Sequence, residues 1–315
     1  MKYLRVIGTA LWALSLLSSE GHAWNIPTHM VNGAISYQLL YLDSRATIPK
    51  VRAILEKHPW YADRWRDDLA KLPDSQRDEM LFMLAARWAD DIRNRDPAES
   101  HPTWHFINWP FKPEGEPESV RPLPPNPDNI LTAFAENERL LRSEAPDDKR
   151  GVALAWSFHL VGDIHQPLHT IQLFTREYPN GDRGGNEMCV RASLNGAPIE
   201  LHRLWDGVIT SSGNINRIRN IASDLLRRFS SSTFRELDHR EPEAWTKESY
   251  EIAVKIAYEN GSLRGTPKGG AKDCRAVNAV TYLRNGYAAE ARLIANRRMY
   301  LAGYRLADLL RTVGR

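Results

Sequence analysis

The chain has 315 residues, of which 42% are hydrophobic, and its 42 Lys and Arg against 39 Asp and Glu give a formal net charge of +3. This composition is ample for a large buried core, in one large domain or two. So small a net charge excludes a polybasic surface that would bind nucleic acid through its overall field. An anionic substrate would therefore have to be attracted by local charge at its own site.

Residues 1–23 have the composition of a secretory signal peptide. Lys2 and Arg5 form a basic head, an apolar run extends from Val6 to Leu17, and small residues precede Trp24. The apolar run is short for a bilayer span, and retention as a membrane anchor is the alternative interpretation. We therefore predict cleavage before Trp24 and export of residues 24–315 to the periplasm or the medium, with no stable membrane anchor.

Most of the remaining chain shows the apolar spacing of amphipathic helices. Helices are predicted around residues 31–40, 79–93, 130–143, 149–165, 215–229, 243–259 and 276–310, the last with interruptions. Strand-like alternation is short, near residues 188–192 and 198–202. The proline-rich residues 110–127 predict an irregular surface loop between two helical blocks. The fold class is therefore a mainly α, single compact helical domain over residues 24–315, with little β structure.

Two His/Asp pairs at a spacing of four residues are the main chemical signal. They are His159 with Asp163 and His202 with Asp206, and His169 follows the first pair closely. On a helix, positions i and i+4 lie about 5–6 Å apart on one face, so each pair can hold a divalent cation between an imidazole nitrogen and a carboxylate oxygen. Each pair is therefore predicted to bind a metal ion if its two residues lie on a helix.

Three further residues are candidate ligands. Asp90 lies near the end of a predicted helix, where a carboxylate is slightly unfavourable in the helix dipole. His105 lies in the apolar stretch Trp104 to Ile107, and His29 lies close to the predicted cleavage site. A buried, hydrogen-bonded histidine is the more common explanation for each of the two, taken alone.

The chain has two cysteines, Cys189 and Cys274. An exported protein enters an oxidising compartment, where the two could form a disulfide that links the middle of the chain to its C-terminal helices. Two separate buried thiols are the alternative, because the sequence does not give their separation.

Taken in order, these residues and the motifs around them resemble those of a known family. The chain is similar to the zinc-dependent single-strand-specific nucleases and 3′-nucleotidases of moulds, plants and bacteria, the P-one and S-one type. The resemblance runs from residue 24 to the last helix, and it implies a helical fold like that of phospholipase C, with a trinuclear zinc cluster. The matching residues are Trp24, His29, Trp88-Ala89-Asp90, His105-Phe106-Ile107, His159, Asp163, Gln166-Pro167-Leu168-His169, Gly184-Gly185-Asn186, His202, Trp205-Asp206 and Gly303 to Ala307.

The resemblance implies three Zn²⁺ ions, with Asp163 as a bridge. The implied ligands are Asp90, His105, His159 and Asp163 for one ion; His169, His202 and Asp206 for a second; and His29, Asp163 and the amine and carbonyl of Trp24 for a third. A set of nitrogen and oxygen donors without thiolate suits zinc in a catalytic site. A peptide nitrogen is a poor zinc donor, so cleavage before Trp24 would complete the site. The alternative is that Trp24 is only a buried aromatic residue.

The implied activity is that of an endonuclease and phosphodiesterase on single-stranded DNA and RNA, giving 5′-phosphorylated products, with 3′-nucleotides as further substrates. A metal pair about 3.5–4 Å apart lowers the pKa of a shared water, so that hydroxide attacks phosphorus in line. Asp90 would orient the water, Arg93 would neutralise the phosphoryl oxygens, and Asn186 would contact the phosphate. No protein partner is implied.

Base recognition is where the chain departs from the family pattern. Phe106 resembles the family's stacking aromatic, which would hold a base that has left its strand. Two residues later the mould enzymes have Asp, and this chain has Asn108, whose amide offers a donor as well as an acceptor. The departure affects the expected base preference and leaves the expected chemistry unchanged.

Two other functions fit the same metal ligands. A zinc-dependent phospholipase C would cleave a phosphodiester in a lipid headgroup, and a non-catalytic periplasmic zinc-binding protein would cleave nothing. Storage sites need neither a bridging carboxylate nor open coordination positions, which favours an enzyme.

Overall fold

The computed structural model of the chain describes residues 24–93, 95–96, 99–193 and 195–313. The predicted signal peptide, residues 1–23, lies outside the described residues. The described chain is mainly helical, as the sequence predicts. Its α-helices are α1 (Ile26–Asp43), α2 (Thr47–Leu55), α3 (Arg66–Ala70), α4 (Asp74–Ile92), α5 (Ile130–Leu141), α6 (Asp147–Ile164), α7 (Leu201–Gly207), α8 (Ile215–Arg228), α9 (Pro242–Ile252) and α10 (Tyr287–Thr312). None of these helices has the length and apolar character needed to cross a membrane.

Helix α6 forms the centre of the fold. Its residues 151–164 are all buried, and it packs against α1, α2, α4, α5, α9 and α10. A helix that is buried on every side needs partners all around it, which explains why six of the described helices pack against it. The edge-to-face pairs Phe82–Phe158 and Trp88–Trp156 join α6 to α4, with ring centroids 5.3 and 5.9 Å apart.

Helix α1 approaches α4 unusually closely. Its N-terminus is capped by Asn25, whose side chain accepts the backbone N–H of Thr28, and Pro27 lies in the first turn. A Cβ on Gly33 would lie 2.6 Å from the carbonyl oxygen of Phe82, so only glycine allows this packing distance. The close contact brings the side chain of His29 next to the end of α4.

Six short strands form two small sheets. They are β1 (Trp109–Phe111), β2 (Ile171–Leu173), β3 (Met188–Arg191), β4 (Ile199–Glu200), β5 (Thr266–Pro267) and β6 (Thr281–Tyr282). β1 and β2 pair in parallel, with Trp109 opposite Ile171. In the other sheet, β3 pairs with β4 and β5 in antiparallel and with β6 in parallel. The first sheet holds the segment before β1 against the segment that follows α6.

Three sequence predictions need correction. The strand predicted at residues 198–202 ends at Glu200, because α7 begins at Leu201. The loop predicted at residues 110–127 begins inside β1. The last helix begins at Tyr287 instead of residue 276, because β6 and Gly286, with φ of 84°, interrupt the chain before it.

Cys189 and Cys274 form a disulfide, with a Cα–Cα distance of 5.5 Å. The pairing that the sequence allowed is therefore confirmed. Cys189 lies in β3, whereas Cys274 begins the short turn Cys274–Ala276 ahead of α10. The disulfide therefore links β3 to this turn, and not to a C-terminal helix as the sequence predicts.

A buried charge cluster joins α9 to α10. The Glu248 carboxylate accepts hydrogen bonds from Arg298 at 2.8 Å and from Arg305 at 2.7 and 2.8 Å. Arg305 also contacts Nε2 of His165 at 2.7 Å. Burial raises the pKa of Glu248, but Arg305 and Arg298 outweigh it and lower that pKa to about 2. The carboxylate is therefore charged throughout the neutral and mildly acidic range.

We expect Glu248→Gln to reduce the free energy of unfolding by about 3–5 kcal/mol at pH 7, because two buried guanidinium groups lose their counter-charge. The folded pKa of about 2 lies below the ordinary value of 4.5. The contribution of Glu248 is therefore complete above pH about 4.5 and disappears as the pH falls towards 2. Urea unfolding at several pH values measures this difference. The control is Glu243→Gln, an exposed partner of Lys247, which should change stability by less than about 0.5 kcal/mol. Equal losses in the two variants would contradict the assignment.

Candidate metal centre

The predicted side-chain ligands converge from six parts of the chain. His29 comes from α1, Asp90 from α4, His105 from the segment before β1, and His169 from the turn Pro167–His169. His159 and Asp163 lie on α6, as predicted, whereas His202 and Asp206 lie on α7, a short helix that is not among the predicted ones. They form three groups in which the donor atoms lie within 4.8 Å of one another: His29, His159 and Asp163; Asp90, His105 and His159; and His169, His202 and Asp206. The structure thus brings all eight of them together.

Asp163 lies between two of these groups. Its Oδ1 is 3.2 Å from Nε2 of His29, and its Oδ2 is 3.0 Å from both Nδ1 of His105 and Nε2 of His159. The carboxylate is fully buried. Its two oxygens therefore face different histidines, which is the geometry that a bridging carboxylate requires.

Three of the histidines are oriented by the backbone. In each of them Nδ1 lies within hydrogen-bond distance of a backbone carbonyl oxygen. Nδ1 of His159 is 2.9 Å from the carbonyl of Ala86, Nδ1 of His169 is 2.7 Å from that of His105, and Nδ1 of His202 is 2.7 Å from that of Gly184. A carbonyl only accepts, so Nδ1 must carry the proton and Nε2 must offer its lone pair. Histidines that bind metal are held in this way.

Several buried polar atoms in the centre make no hydrogen bond to any part of the chain that the structure describes. They are both ring nitrogens of His29, Nε2 of His105, Oδ1 of Asp163 and Oδ2 of Asp206. An unsatisfied buried polar atom costs about 1–3 kcal/mol, so such a concentration calls for a partner. The donors are nitrogen and oxygen atoms without thiolate, which fits borderline divalent cations such as zinc.

The protonation states favour the ligand forms of these side chains. Burial lowers the pKa of His105 to about 3, and burial also lowers the pKa of His29 and His169. Burial raises the pKa of Asp163, but His159, His169 and His29 outweigh it and hold that pKa well below its usual value. Burial also acts to lower the pKa of His159, but Asp163 and Asp90 outweigh it, so that this pKa is raised. The neutral imidazoles of His29, His105 and His169 and the charged carboxylate of Asp163 are the forms that bind a cation.

Asp206 differs from Asp163. Burial raises its pKa well above the usual value, and the hydrogen bond from Gln166 opposes this only in part. Nε2 of Gln166 donates to Oδ1 of Asp206 at 2.7 Å, while its Oε1 accepts the N–H of Leu168 at 2.6 Å. Gln166 therefore fixes the orientation of Asp206 from the segment after α6. In the sequence, Gln166 is recognisable only as part of a motif, which does not indicate this role.

Gly162 makes room for His29. It lies on α6 between His159 and Asp163, and a Cβ there would be 2.9 Å from Nδ1 of His29. Glycine inside a helix costs about 1 kcal/mol relative to alanine, so its presence in a buried helix indicates a packing requirement. Gly162 is not among the residues that the sequence predicts for the site, although a glycine inside a predicted helix indicates such a packing requirement.

Trp24 is fully buried, and its indole N–H donates to the carbonyl oxygen of Gly162 at 2.9 Å. The next residue, Asn25, donates its backbone N–H to the carbonyl of Asp206 at 3.3 Å. The start of the described chain thus lies against both helices that carry ligand pairs. The packing role that the sequence analysis left open is present, and ligation by the Trp24 amine stays a prediction.

Asp90 and Arg93 lie beside each other at the end of α4. The guanidinium NH2 of Arg93 is 3.0 Å from Oδ1 of Asp90, and the two side chains are largely buried. Burial raises the pKa of Asp90, but Arg93 outweighs it and that pKa is lowered. Asp90 Oδ1 is 3.9 Å from Nε2 of His159. The pair therefore borders the metal ligands, as the helical spacing predicted.

The predicted base-binding residues lie at the entrance to the centre. Phe106 and Asn108 line a small depression of about 50 Å³ together with Leu168, His169, Arg183, Asn186 and His202. Nδ2 of Asn186 donates to the carbonyl of Arg183 at 2.9 Å, which leaves its Oδ1 for other contacts. Asn186 and His202 also line a second cavity, of about 680 Å³. Asn186 therefore stands between two openings.

The sequence is similar to those of known proteins. The family model described as S1/P1 Nuclease matches residues 24–314. Endonuclease 5 of Arabidopsis thaliana is 24% identical over 276 residues, which cover 80% of this chain and 84% of that protein. Endonuclease 3 of the same plant is 25% identical over 264 residues, or 77% of this chain and 79% of that protein. Nuclease S1 of Aspergillus oryzae is 28% identical over 122 residues, or 38% of this chain and 39% of that protein.

We expect Gln166→Ala to weaken zinc binding by the group of His169, His202 and Asp206 by about 10–100-fold, because Asp206 loses the hydrogen bond that orients it. Competition with a chromogenic zinc chelator measures the affinity of each site. The matched control is Gln38→Ala, whose amide bonds to Glu79 on another face and which should leave every zinc affinity unchanged. Wild-type affinity in Gln166→Ala would show that Asp206 is oriented by other contacts.

Proposed function

Because this chain belongs to the S1/P1 nuclease family, we propose that it is an exported, zinc-dependent endonuclease that cleaves single-stranded DNA and RNA to 5′-phosphorylated products, with 3′-nucleotidase activity. Membership makes it a hydrolase that acts on nucleic acids. The single observation that carries the proposal is the convergence of eight buried His and Asp side chains on one centre. The family match favours this function over a phospholipase C or a non-catalytic zinc-binding protein.

Three Zn²⁺ ions would occupy the centre. We assign one to Asp90, His105, His159 and Asp163, one to His169, His202 and Asp206, and one to His29, Asp163 and the amine and carbonyl of Trp24. The unsatisfied atoms of His29, His105, Asp163 and Asp206 support this assignment. Bound zinc would act as a Lewis acid and lower the pKa of water, which makes hydrolysis possible at neutral pH.

Protein groups would orient the reactants. Asp90, which its ion pair with Arg93 keeps charged, can accept a hydrogen bond from the attacking water. Arg93 can neutralise charge on the phosphoryl oxygens, since its guanidinium lies at the edge of the ligand set. Asn186 can contact the phosphate, because it lines the depression beside His169 and His202.

Specificity for single strands would follow from stacking of a base on Phe106. A base inside a duplex is already stacked on both faces, so it would reach Phe106, in the small depression that Asn108 also lines, only after leaving the stack. An aromatic face stacks on any base, at a gain of about 1–3 kcal/mol. The Asn108 amide can both donate to and accept from a base edge, so we expect a weaker base preference than an aspartate would give.

Export agrees with two features of the chain. The disulfide between Cys189 and Cys274 suits an oxidising compartment. Cleavage before Trp24 would free an α-amine beside α6, where the indole already bonds to Gly162. Export and assembly of the third zinc site would then be one event.

We expect protein that begins at Trp24 to release acid-soluble nucleotides from single-stranded DNA and RNA, and to act weakly on duplexes. His159→Ala should retain less than about 1% of this activity. Mutating a residue that hydrogen-bonds to a metal ligand typically lowers activity about 10–100-fold, and removing a ligand that two groups share should lower it further. Zinc chelation should have the same effect. The control is His239→Ala, an exposed histidine, which should remain fully active.

Two results would contradict the nuclease. Turnover of phosphatidylcholine with no release of nucleotides would indicate a phospholipase C. Full zinc binding with no turnover of either substrate would indicate a zinc-binding protein.

We also expect one extra residue ahead of Trp24 to abolish activity and to reduce bound zinc from three ions to two, because a peptide nitrogen cannot replace the amine. The comparison is between protein that begins at Trp24 and protein that carries one added glycine ahead of Trp24. Zinc content by mass spectrometry and nucleotide release measure the effect. Removal of the extra glycine by an aminopeptidase should restore both quantities. Full activity of the extended protein would reduce Trp24 to a packing role.

A further inference from the structure

A second cavity adjoins the candidate metal centre on the side of α7. Its volume is about 680 Å³, which is within the range of ligand-binding clefts. Asn186, His202 and Asp206 line the end that faces the metal ligands. The cavity therefore adjoins the centre through these residues, and Phe106 is not among the described residues that line it.

Three cations line this cavity: Arg203, Lys268 and Lys272. Lys268 is nearly buried and pairs with Glu200 at 3.3 Å. Arg203 and Lys272 are exposed, and neither has an ion-pair partner among the residues that the structure describes. Asp273 also lines the cavity, but its carboxylate accepts the backbone N–H of Arg275. Outside the metal ligands, the cavity thus has more cations than acids.

The loop that carries Lys268 and Lys272 is fixed at both ends. Ahead of it, β5 pairs with β3, and the N–H of Lys268 donates to the carbonyl of Glu187 at 2.8 Å. Behind it, Cys274 is bonded to Cys189 of β3. A cationic surface held in place before binding loses little entropy when it binds an anion.

The direction of a bound strand follows from the proposed function, on which this inference rests. A 3′-nucleotidase binds a nucleoside whose O3′ leaves, so the base at Phe106 belongs to the nucleotide on the 5′ side of the scissile phosphate. The strand on the other side must leave the centre by another path. The second cavity offers that path, because Asn186 and His202 line both openings.

We propose that this cavity is a subsite for the phosphodiester backbone on the 3′ side of the scissile phosphate, with Arg203 and Lys272 as its phosphate contacts. No aromatic residue is among the described residues that line it. The subsite therefore reads charge and not base identity, since stacking needs an aromatic face. It contributes to the binding of polynucleotides and does nothing for a mononucleotide.

The test compares two substrates in the zinc-loaded double variant Arg203→Gln/Lys272→Gln. We expect kcat/KM for a single-stranded oligonucleotide to fall about tenfold. The slope of log kcat/KM against the logarithm of the salt concentration should become less steep by about 1.4, which is about 0.7 for each lost phosphate contact. For a 3′-nucleoside monophosphate, kcat/KM should stay within about twofold of wild type. The control is Lys247→Gln/Lys255→Gln, which changes the formal charge equally at a different cavity and should affect neither substrate.

A modified oligonucleotide locates the contact. Replacing the first phosphate on the 3′ side of the scissile bond with an uncharged methylphosphonate should lower kcat/KM about tenfold in the wild type and by less than about twofold in the double variant. Two changes that remove the same contact are not additive.

Equal losses on both substrates would overturn the subsite, because the cations would then act on the centre itself. Equal losses in the control would overturn it too, in favour of a general field effect. A methylphosphonate that lowers kcat/KM equally in the wild type and in the double variant would also overturn the subsite. A wild-type protein that hydrolyses neither substrate would instead overturn the proposed function, and the subsite with it.

Discussion

A carboxylate buried in the middle of a helical core is the constraint on which the rest of this structure depends. Asp163 lies on the most enclosed helix, α6, where an unpaired charge would cost far more than a folded protein can tolerate. Histidines from α1, from α6 itself and from the segment before β1 surround it within about 3 Å. The arrangement of these elements is therefore set as much by the need to compensate one charge as by apolar packing.

The glycines and the aromatic residues of the core serve the same arrangement. Gly33 brings α1 against α4, and Gly162 lets the ring of His29 approach α6, so that ligands far apart in sequence reach one point. The pairs Phe82–Phe158 and Trp88–Trp156 hold α4 against α6. Backbone carbonyls then fix the ring orientations. A site built on helices in this way keeps its geometry, which is what metal binding and catalysis both demand.

The sequence predicts local features well and distant ones poorly. The spacing of His159 and Asp163 was readable because both lie on one helix, and so was the central helix itself. The pairing of β1 with β2 could not be predicted, because each strand has only three residues and the two strands are separated by some sixty positions in the sequence. His29, Asp90 and His105 gave weak signals alone, and only the family resemblance joined them. Gln166 escaped notice because a hydrogen bond between two segments leaves no periodic pattern. The short helices α2, α3 and α7 are absent from the predicted elements, because none of them has a long periodic stretch.

The division between helices and loops has a functional meaning. The metal ligands lie mostly on helices, whereas the residues proposed to touch substrate lie in segments that are fixed by other means. In the loop before β3, Gly184 and Gly185 have φ of 60° and 84°. Asp182 holds this loop, since it accepts the N–H of Gly185 at 2.9 Å and the hydroxyl of Tyr258 at 2.5 Å. The disulfide fixes the loop that carries Lys268 on the other side of β3. One small sheet thus supports both loops, and a strand of nucleic acid that crossed the centre would be held between them. Under the proposed function, a path between two fixed loops would admit a flexible single strand more readily than a stiff duplex, and the selectivity for substrate would then depend on the separation of the loops.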